Sequence, residues 1–412
     1  MSVTYGFDIG TSKICLLVVD ESGKCLNKFY APNCFTKDKE QDADVIVEKC
    51  FELKKRADGM YGKCDCIGVT NQMHGILYVD KNGQAVSPLF TWQDEKGNAI
   101  YKKSTYAKVL SDISGYKCVS GYGCVTHYYL TVTKQILANA VKFCTIGDYL
   151  LLKLFGFKKP IIHPTNAASL GLYDIRADKF DFDAAEKAGL NIDYFPELGD
   201  KFNNSVKTAI GDNQASMLGL LSDPLNSVFI NVGTGSQVSV VTDKYCASTG
   251  EIRPYFDGKR ILVGAAITGG YALKILSDFF DSVIRFTCAK PDKPAIEYFA
   301  TLSRDGTTDM KFETAFRGSR ENKDKKASIV NISQDNFTAE DMVYACEKGI
   351  IDELHQMYVE FSEKRDIVVV SGNGIKKNPY MLKYSEQIFG TKIKLTDIDE
   401  EAAYGAAIWG RI

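Results

Sequence analysis

A glycine–hydroxyl turn between two strand-like runs occurs twice in this chain. The first is Asp8-Ile9-Gly10-Thr11-Ser12-Lys13. Backbone N–H groups and hydroxyls in such a turn suit phosphate oxygens. A carboxylate beside it, here Asp8, suits the magnesium ion that travels with phosphate. The second is Val232-Gly233-Thr234-Gly235-Ser236. Each alone reads equally well as an ordinary β-hairpin, and neither is a Walker motif, because no GxxxxGK[ST] occurs. Two such turns together could grip one polyphosphate from opposite sides. Gly211-Asp212-Asn213-Gln214 precedes the apolar run ASMLGLL, so a helix is expected to begin near Asp212. A carboxylate there is either a plain N-cap or a general base. Phosphoryl transfer needs mostly positioning and charge neutralisation, with one carboxylate to take the hydroxyl proton.

Two polar clusters follow predicted strands: Gln72-Met73-His74-Gly75 and Phe90-Thr91-Trp92-Gln93-Asp94. Their side chains offer the donors and acceptors that polyol hydroxyls need, and Trp92 offers an apolar platform. A lone His is usually structural, and a lone Trp is usually core. Ser371-Gly372-Asn373-Gly374 follows the apolar run Ile367–Val370, and small residues at a strand-to-helix turn let a flat ring approach the backbone. Glu401-Ala402-Ala403-Tyr404-Gly405-Ala406-Ala407 reads as a helix whose small residues permit close packing.

The elements that must position these residues are legible in part. Tyr5–Ile9, Lys13–Val19 and Lys24–Ala31 read as a strand meander, with a turn at Glu21-Ser22-Gly23. Residues 42–58 read as a helix and Cys66–Thr70 as a buried strand. Leu77–Val79 runs into the turn Asp80-Lys81-Asn82-Gly83, and helices are expected to dominate from about 130 to 155. A further helix is expected over Asn378–Phe389.

The 412 residues suggest two or three domains. Phe7–Asp20 aligns without a gap on Ile230–Asp243, matching Gly10 with Gly233, Thr11 with Thr234, Val18 with Val241 and Asp20 with Asp243. The shared position near the start of each half predicts two similar domains, residues 1–208 and 209–412, packed around a central cleft. At 45% hydrophobic and 25% charged residues, the composition excludes a disordered or collagen-like chain. A net charge of −2 leaves no broad basic field for nucleic acid or an anionic membrane. The opening MSVTYGFDIG lacks a basic region followed by an apolar one, so no signal peptide is expected. No apolar run reaches the length of a membrane span, and WGRI at the end matches no lipid anchor. The 12 cysteines are scattered, without the paired spacing of a zinc ribbon, and read as mostly buried thiols in a reducing cytoplasm.

Taken in order, the segments DIGTSK, GVTNQMHG, PLFTWQDEKG, IGDYLLLKLFG to NAASLGLYDI, GDNQAS, NVGTGS, AITGG, SGNGIKKNP and EEAAYGAAI span nearly the whole chain. This collinear set resembles the FGGY carbohydrate kinases of the actin and hexokinase superfamily. The resemblance implies two α/β domains with ribonuclease-H-like cores, an N-terminal one for sugar and a C-terminal one for nucleotide. It implies transfer of the γ-phosphate of Mg-ATP to a sugar or polyol hydroxyl, with ATP and Mg2+ as cofactors and small molecules as partners; a homodimer is left open.

Carried over by motif, Asp212 would be the catalytic base and, with Asp8, the metal-associated pair. Thr11, Ser12 and Lys13 would lie near the transferred phosphate, and Gly233 and Thr234 in the second phosphate loop. Gly269 and Gly270 would line the nucleotide cleft, and Gly372, Gly374 and Asn378 the adenosine. Gln72, Met73, His74, Trp92 and Asp94 would line the sugar site. QMHG followed by TWQD looks most like the sedoheptulokinases of this family, implying phosphorylation of a ketose at its terminal hydroxyl. Xylulokinases and other sugar or polyol kinases of the family are the alternative. A sugar-sensing pseudokinase and an actin-like ATPase are the readings outside it. The motif SGNG departs from the GGGA-like triplet common in the family, and the chain is shorter than typical members.

Overall fold

The computed structural model describes residues 2–244, 250–287, 289–290, 292–299, 301–302, 308–319, 322 and 324–412. The chain forms two compact units: Met1–Leu220 with Arg253–Phe256 and Ile398–Ile412, and Leu221–Ile252 with Asp257–Asp397.

In the first unit, β1 (Val3–Ile9) and β2 (Lys13–Asp20) form an antiparallel hairpin in which Ile9 faces Ile14. Asp20 Oδ1 accepts from the Ser22 and Lys24 amides, closing the predicted turn into β3 (Cys25–Pro32). The chain then crosses through α1 (Ala43–Tyr61), whose first turn is capped by Asp42 accepting from the Asp44 and Val45 amides. It returns as β4 (Cys66–Asn71), parallel to β1, because a parallel partner needs a crossover. A long excursion carries α2 (Gly123–Val132) and α3 (Ile146–Phe155). The chain re-enters the sheet as the two-residue strand β5 (Ile210–Gly211), parallel to β4, and leads into α4 (Asp212–Leu220). The sheet order is β3-β2-β1-β4-β5. Within the excursion, Lys142–Cys144 is a strand paired with Leu77–Val79, inside the stretch where helices were expected to dominate. Phe143 and Cys144 are fully buried there, so tertiary pairing overrides local helical preference.

The second unit holds β6 (Ser227–Val232), β7 (Ser236–Thr242), β8 (Arg260–Ala266), β9 (Ile367–Ser371) and β10 (Ile393–Leu395). Five of the six strands of their sheet, in the order β8-β7-β6-β9-β10, repeat the first sheet in order and direction; the sixth, Glu251–Pro254, lies at the edge beside β8. Helices α5 (Gly270–Phe286), α6 (Ala339–Glu360) and α7 (Pro379–Phe389) complete it. The internal similarity is therefore architectural, but the ungapped alignment slips. Ile9 pairs with Ile14 across the first turn, whereas Val232 pairs with Ser236 across the second, which is one residue shorter. Val18 and Asp20 thus correspond to Val240 and Thr242, not to the identical Val241 and Asp243. A one-residue slip moves a side chain to the other face of a sheet, so only the identities at the start of the turn, Gly10 with Gly233 and Thr11 with Thr234, occupy equivalent positions.

The first sheet is covered on both faces, which is why β1 and β2 are near-continuous apolar runs. Val3, Tyr5, Phe7 and Ile9 face Ile46, Cys50 and Leu53 of α1. The alternate residues Cys15, Leu17 and Val19 meet Ala403 and Ala407 of α8 (Glu401–Arg411). A Cβ on Gly68 would lie 1.7 Å from the Ala406 carbonyl, so the helix rests on bare strand backbone. The last helix of the chain thereby belongs to the first unit.

Helix α3 starts with a reciprocal cap: Thr145 Oγ1 accepts from the Asp148 amide, and Asp148 Oδ2 accepts from Thr145 N and Oγ1. Asp148 is fully buried and its Oδ1 has no partner. Burial pushes its carboxyl up to about 7, against the Thr145 bonds, which pull it down. The folded value exceeds the unfolded one, so the folded chain holds the extra proton between them. Stability from this group is then greatest below the unfolded value of about 4 and is lost as pH rises through about 7. In denaturant titrations across that window, wild type should lose stability relative to Asp148→Asn by up to about 1.4 kcal/mol per pH unit. A flat difference between the two would contradict a buried, protonated Asp148.

Of the cysteines, Cys246 and Cys288 lie outside the described residues. The other ten are free thiols; Cys15, Cys50, Cys118, Cys124, Cys144 and Cys346 are buried, and Cys34 is exposed. Among the described residues, no helix is long and apolar enough to cross a membrane.

Candidate active site

Three parallel strands of the first unit end side by side. Asp8, Thr70 and Ile210 form one row across β1, β4 and β5; Ile9, Asn71 and Gly211 form the next. Their carboxyl ends release the Gly10–Ser12 turn, the Gln72–Gly75 segment and the head of α4. Open α/β sheets bind ligands outside such strand ends.

Asp212 is the first residue of α4, where the sequence expected it. Its Oδ1 accepts from the Asn213 amide at 2.7 Å. Burial raises its pKa, while the Asn213 amide and the Arg253 guanidinium favour the anion. The Asp8 carboxyl is pushed up to about 7, first by burial and then by the negative charges of Asp212 and Glu400, with Lys13 opposing. Lys13 Nζ is held by both Glu400 oxygens, at 2.7 and 3.0 Å, and Tyr30 also donates to Glu400. The lysine side chain is 47% exposed, so this pair contributes at most about 1 kcal/mol. Ser12 is exposed at the crest of the turn.

The Gln72–His74 segment meets the same place. Met73 is buried, with its sulfur 3.3 Å from where a Cβ on Gly211 would stand, so it packs on the residue preceding Asp212. His74 has a φ of 73°, a conformation rare outside glycine and often found at functional sites. Its Nδ1 lies 2.6 Å from the Ser169 carbonyl, and a carbonyl only accepts, so Nδ1 carries the proton and Nε2 of the neutral ring is the acceptor. The imidazole stacks on Tyr122 at 4.7 Å. Gln72 is buried and accepts from the Thr11 hydroxyl at 3.0 Å. Trp92 Nε1 donates to that same hydroxyl at 2.9 Å. Thr11 therefore ties the Gly10–Ser12 turn to the second polar cluster. Asp94 is buried, accepts from the Lys96 amide at 2.7 Å and pairs with Lys96 Nζ at 3.2 Å.

The second unit gathers its own set around the end of β6. The Gly269, Gly270 and Tyr271 amides donate to the Thr234, Gly233 and Thr234 carbonyls at 2.9, 2.8 and 3.0 Å, so the turn docks on the head of α5. Gly372 (φ 87°) and Gly374 pass so close to Val232 that a Cβ would lie 2.4 and 2.7 Å from its carbonyl. Asn378 is the N-cap of α7: its Oδ1 accepts from the Met381 amide at 3.0 Å and its Nδ2 donates to buried Glu347 at 2.5 Å.

Sequence reasoning missed the supporting residues. Asn71, Thr145 and Asn166 form a buried polar cluster behind Gln72, with Asn71 Nδ2 donating to the Gln72 carbonyl at 2.7 Å. Arg253, Glu400 and Gln41 reach the strand ends from distant segments, and no local signal marks them.

Family models match the whole chain: the N-terminal domain of the FGGY family of carbohydrate kinases over residues 3–234 and its C-terminal domain over residues 228–412. A sedoheptulokinase of Mus musculus is 24% identical, covering 98% of this chain and 96% of that protein. A xylulose kinase of Staphylococcus xylosus is 22% identical, covering 99% and 90%. The crystal structure of a gluconate kinase from Lactobacillus acidophilus superposes with a TM-score of 0.82 at 18% identity, over 100% of this chain and 89% of that one, and shows the same actin- and hexokinase-like fold.

Proposed function

The chain belongs to the FGGY family of carbohydrate kinases, phosphotransferases that act on sugar hydroxyls with ATP as donor, and from that premise we propose that it phosphorylates sedoheptulose at its terminal hydroxyl, giving sedoheptulose 7-phosphate. The observation that carries the chemistry is Asp212: a carboxylate at a helix head, beside Met73 of the polar cluster assigned to sugar.

In the proposed transfer, Asp212 accepts the hydroxyl proton as the oxygen bonds to the γ-phosphorus. The bond from that phosphorus to the β–γ bridging oxygen breaks and ADP leaves. The raised pKa makes Asp212 a stronger base than a free carboxylate, and Arg253 favours its anionic form. Gln72, Met73, His74, Trp92 and Asp94 are assigned to the sugar, and Thr11, Ser12 and Lys13 to the transferred phosphate. Gly233, Thr234, Gly269, Gly270, Gly372, Gly374 and Asn378 are assigned to the nucleotide.

Asp8 and Asp212 fit Mg2+. They are oxygen donors, and the Asp212 charge raises the Asp8 pKa, a repulsion that a divalent cation relieves. Magnesium commonly takes one or two carboxylates and completes its shell with water and phosphate oxygens. When bound, it neutralises charge on the phosphates.

Sedoheptulose is favoured by Gln72-Met73-His74 followed by Trp92-Gln93-Asp94, and by the end-to-end similarity to the mouse sedoheptulokinase. The xylulose kinase match keeps a shorter ketose as the second reading. Free thiols at all ten described cysteines accord with a cytoplasmic location.

The test is a coupled ADP-release assay with Mg-ATP and sedoheptulose, D-xylulose, D-ribulose, L-ribulose, D-gluconate or glycerol at matched concentrations. The expected result is the highest kcat/KM for sedoheptulose, with phosphorus NMR locating the product phosphate on the terminal carbon. Preference for another acceptor replaces the substrate but keeps Asp212 as base. Sugar binding without any turnover would make the protein a sensor rather than a kinase.

A further inference from the structure

We propose that Gln41 is a positioning residue that locks the Trp92 indole onto the Gly10–Ser12 turn through a closed ring of hydrogen bonds; its consequence for substrate rests on reading Trp92 as a wall of the sugar pocket. Gln41 Nε2 donates to the Thr11 carbonyl at 2.8 Å, and Gln72 Nε2 donates to Gln41 Oε1 at 2.8 Å. The Thr11 hydroxyl donates to Gln72 Oε1 at 3.0 Å, which returns the ring to Thr11. Trp92 Nε1 donates into it at the Thr11 hydroxyl, 2.9 Å away.

The direction of every bond in this ring is set from its ends. The Thr11 carbonyl can only accept, so the Gln41 amide must turn its nitrogen toward it. Gln41 then presents its oxygen to Gln72, and Gln72 must answer with its nitrogen. The Gln72 oxygen is left facing the Thr11 hydroxyl, which must donate to it. The hydroxyl therefore has only lone pairs for Trp92, and an indole N–H can only donate. Reversing either amide would bring donor against donor or acceptor against acceptor. Gln41 and Gln72 are buried, so water cannot repair a broken link.

The backbone of Gln41 is fixed from the same side. Glu40 and Gln41 pair antiparallel with Phe90 and Leu89, the residues leading to Trp92. Thr91 Oγ1 donates to the Lys39 carbonyl at 2.8 Å, and Lys96 bridges Glu40 at 2.8 Å and Asp94 at 3.2 Å. Trp92 itself is 47% exposed, so packing alone leaves its ring loosely held and the ring of hydrogen bonds decides its orientation. Because Thr11 is shared, the platform assigned to sugar and the turn assigned to phosphate move as one body.

Two tryptophans make this measurable. Trp409 is 5% exposed and donates to the Thr208 carbonyl, so acrylamide quenching reads Trp92. Gln41→Glu keeps the side-chain shape but offers no donor to the Thr11 carbonyl; Gln41→Met removes both bonds without adding charge. Both should raise the quenching constant at least twofold and raise the KM for the sugar about tenfold, with the KM for ATP unchanged. In the wild-type chain, which needs no substitution, the Trp92 indole proton should exchange slowly with solvent despite the exposed side chain. Fast exchange in wild type, or unchanged quenching in a folded Gln41 variant, overturns the proposal. Raised quenching with an unchanged sugar KM supports the ring but removes Trp92 from the sugar site, so the two readings fail separately.

Discussion

Asp212→Asn is expected to lower kcat about a thousandfold while leaving sugar and ATP affinities within about threefold of wild type. A positioned general base contributes about 10²- to 10⁴-fold. The amide is nearly isosteric, so its oxygen can still accept from the Asn213 amide and the head of α4 is kept. What disappears is the proton acceptor and the negative charge. Binding is read by calorimetry and transfer by single-turnover phosphate release. Near-normal turnover would remove Asp212 from the chemistry. An equal loss of binding and turnover would mean that its charge serves mainly to organise the site.

Gly405→Ala should be among the most disruptive single-methyl changes in the first unit, matched only by Gly68→Ala in closeness of approach. The added Cβ would lie 1.7 Å from the Ala215 carbonyl, and backbone cannot swing aside as a side chain can. Helices α8 and α4 touch at this point, and Ala215 follows Asp212 by less than one helical turn. Overpacking of this kind commonly costs about 1–3 kcal/mol and sometimes more. Relief requires the helices to part, which displaces the base. The expected result is a Tm several degrees lower together with a tenfold or greater fall in kcat. Gly59→Ala is the control: it lies inside α1 with nothing within 4 Å of its added Cβ, and it should stabilise by about 0.5–1 kcal/mol without changing kcat. If Gly405→Ala retains both Tm and activity, the close approach of the two helices is not a constraint on the site.

The location of the candidate site was largely legible before its geometry. Asp8, Asp212, the two glycine–hydroxyl turns and the Gln72–His74 segment announce themselves by residue type and by position after an apolar strand, and the structure sets the first-unit members of that set along neighbouring strand ends. The helix starts at Asp42 and Asn378 were equally local, because a cap acts within one turn of the residue that supplies it. Gln41 carried no such mark. In sequence it is one polar residue among Glu40, Gln41 and Asp42, and only strand pairing with Leu89 carries it to Thr11 and Gln72.

By itself, then, the order of residues determined what depends on near neighbours: the hairpins, the caps, the glycines where backbones approach, and the chemistry of each motif. Tertiary structure alone decided the strand at Lys142–Cys144, the shorter second turn that shifts β7 by one residue, and the return of α8 to the first sheet. It also decided the pKa of Asp8, which is raised first by burial and then by Asp212 and Glu400, hundreds of residues away along the chain. The division has one physical cause. Backbone preference and capping act over a few residues, whereas burial, strand pairing and the interaction of charges depend on distance in space.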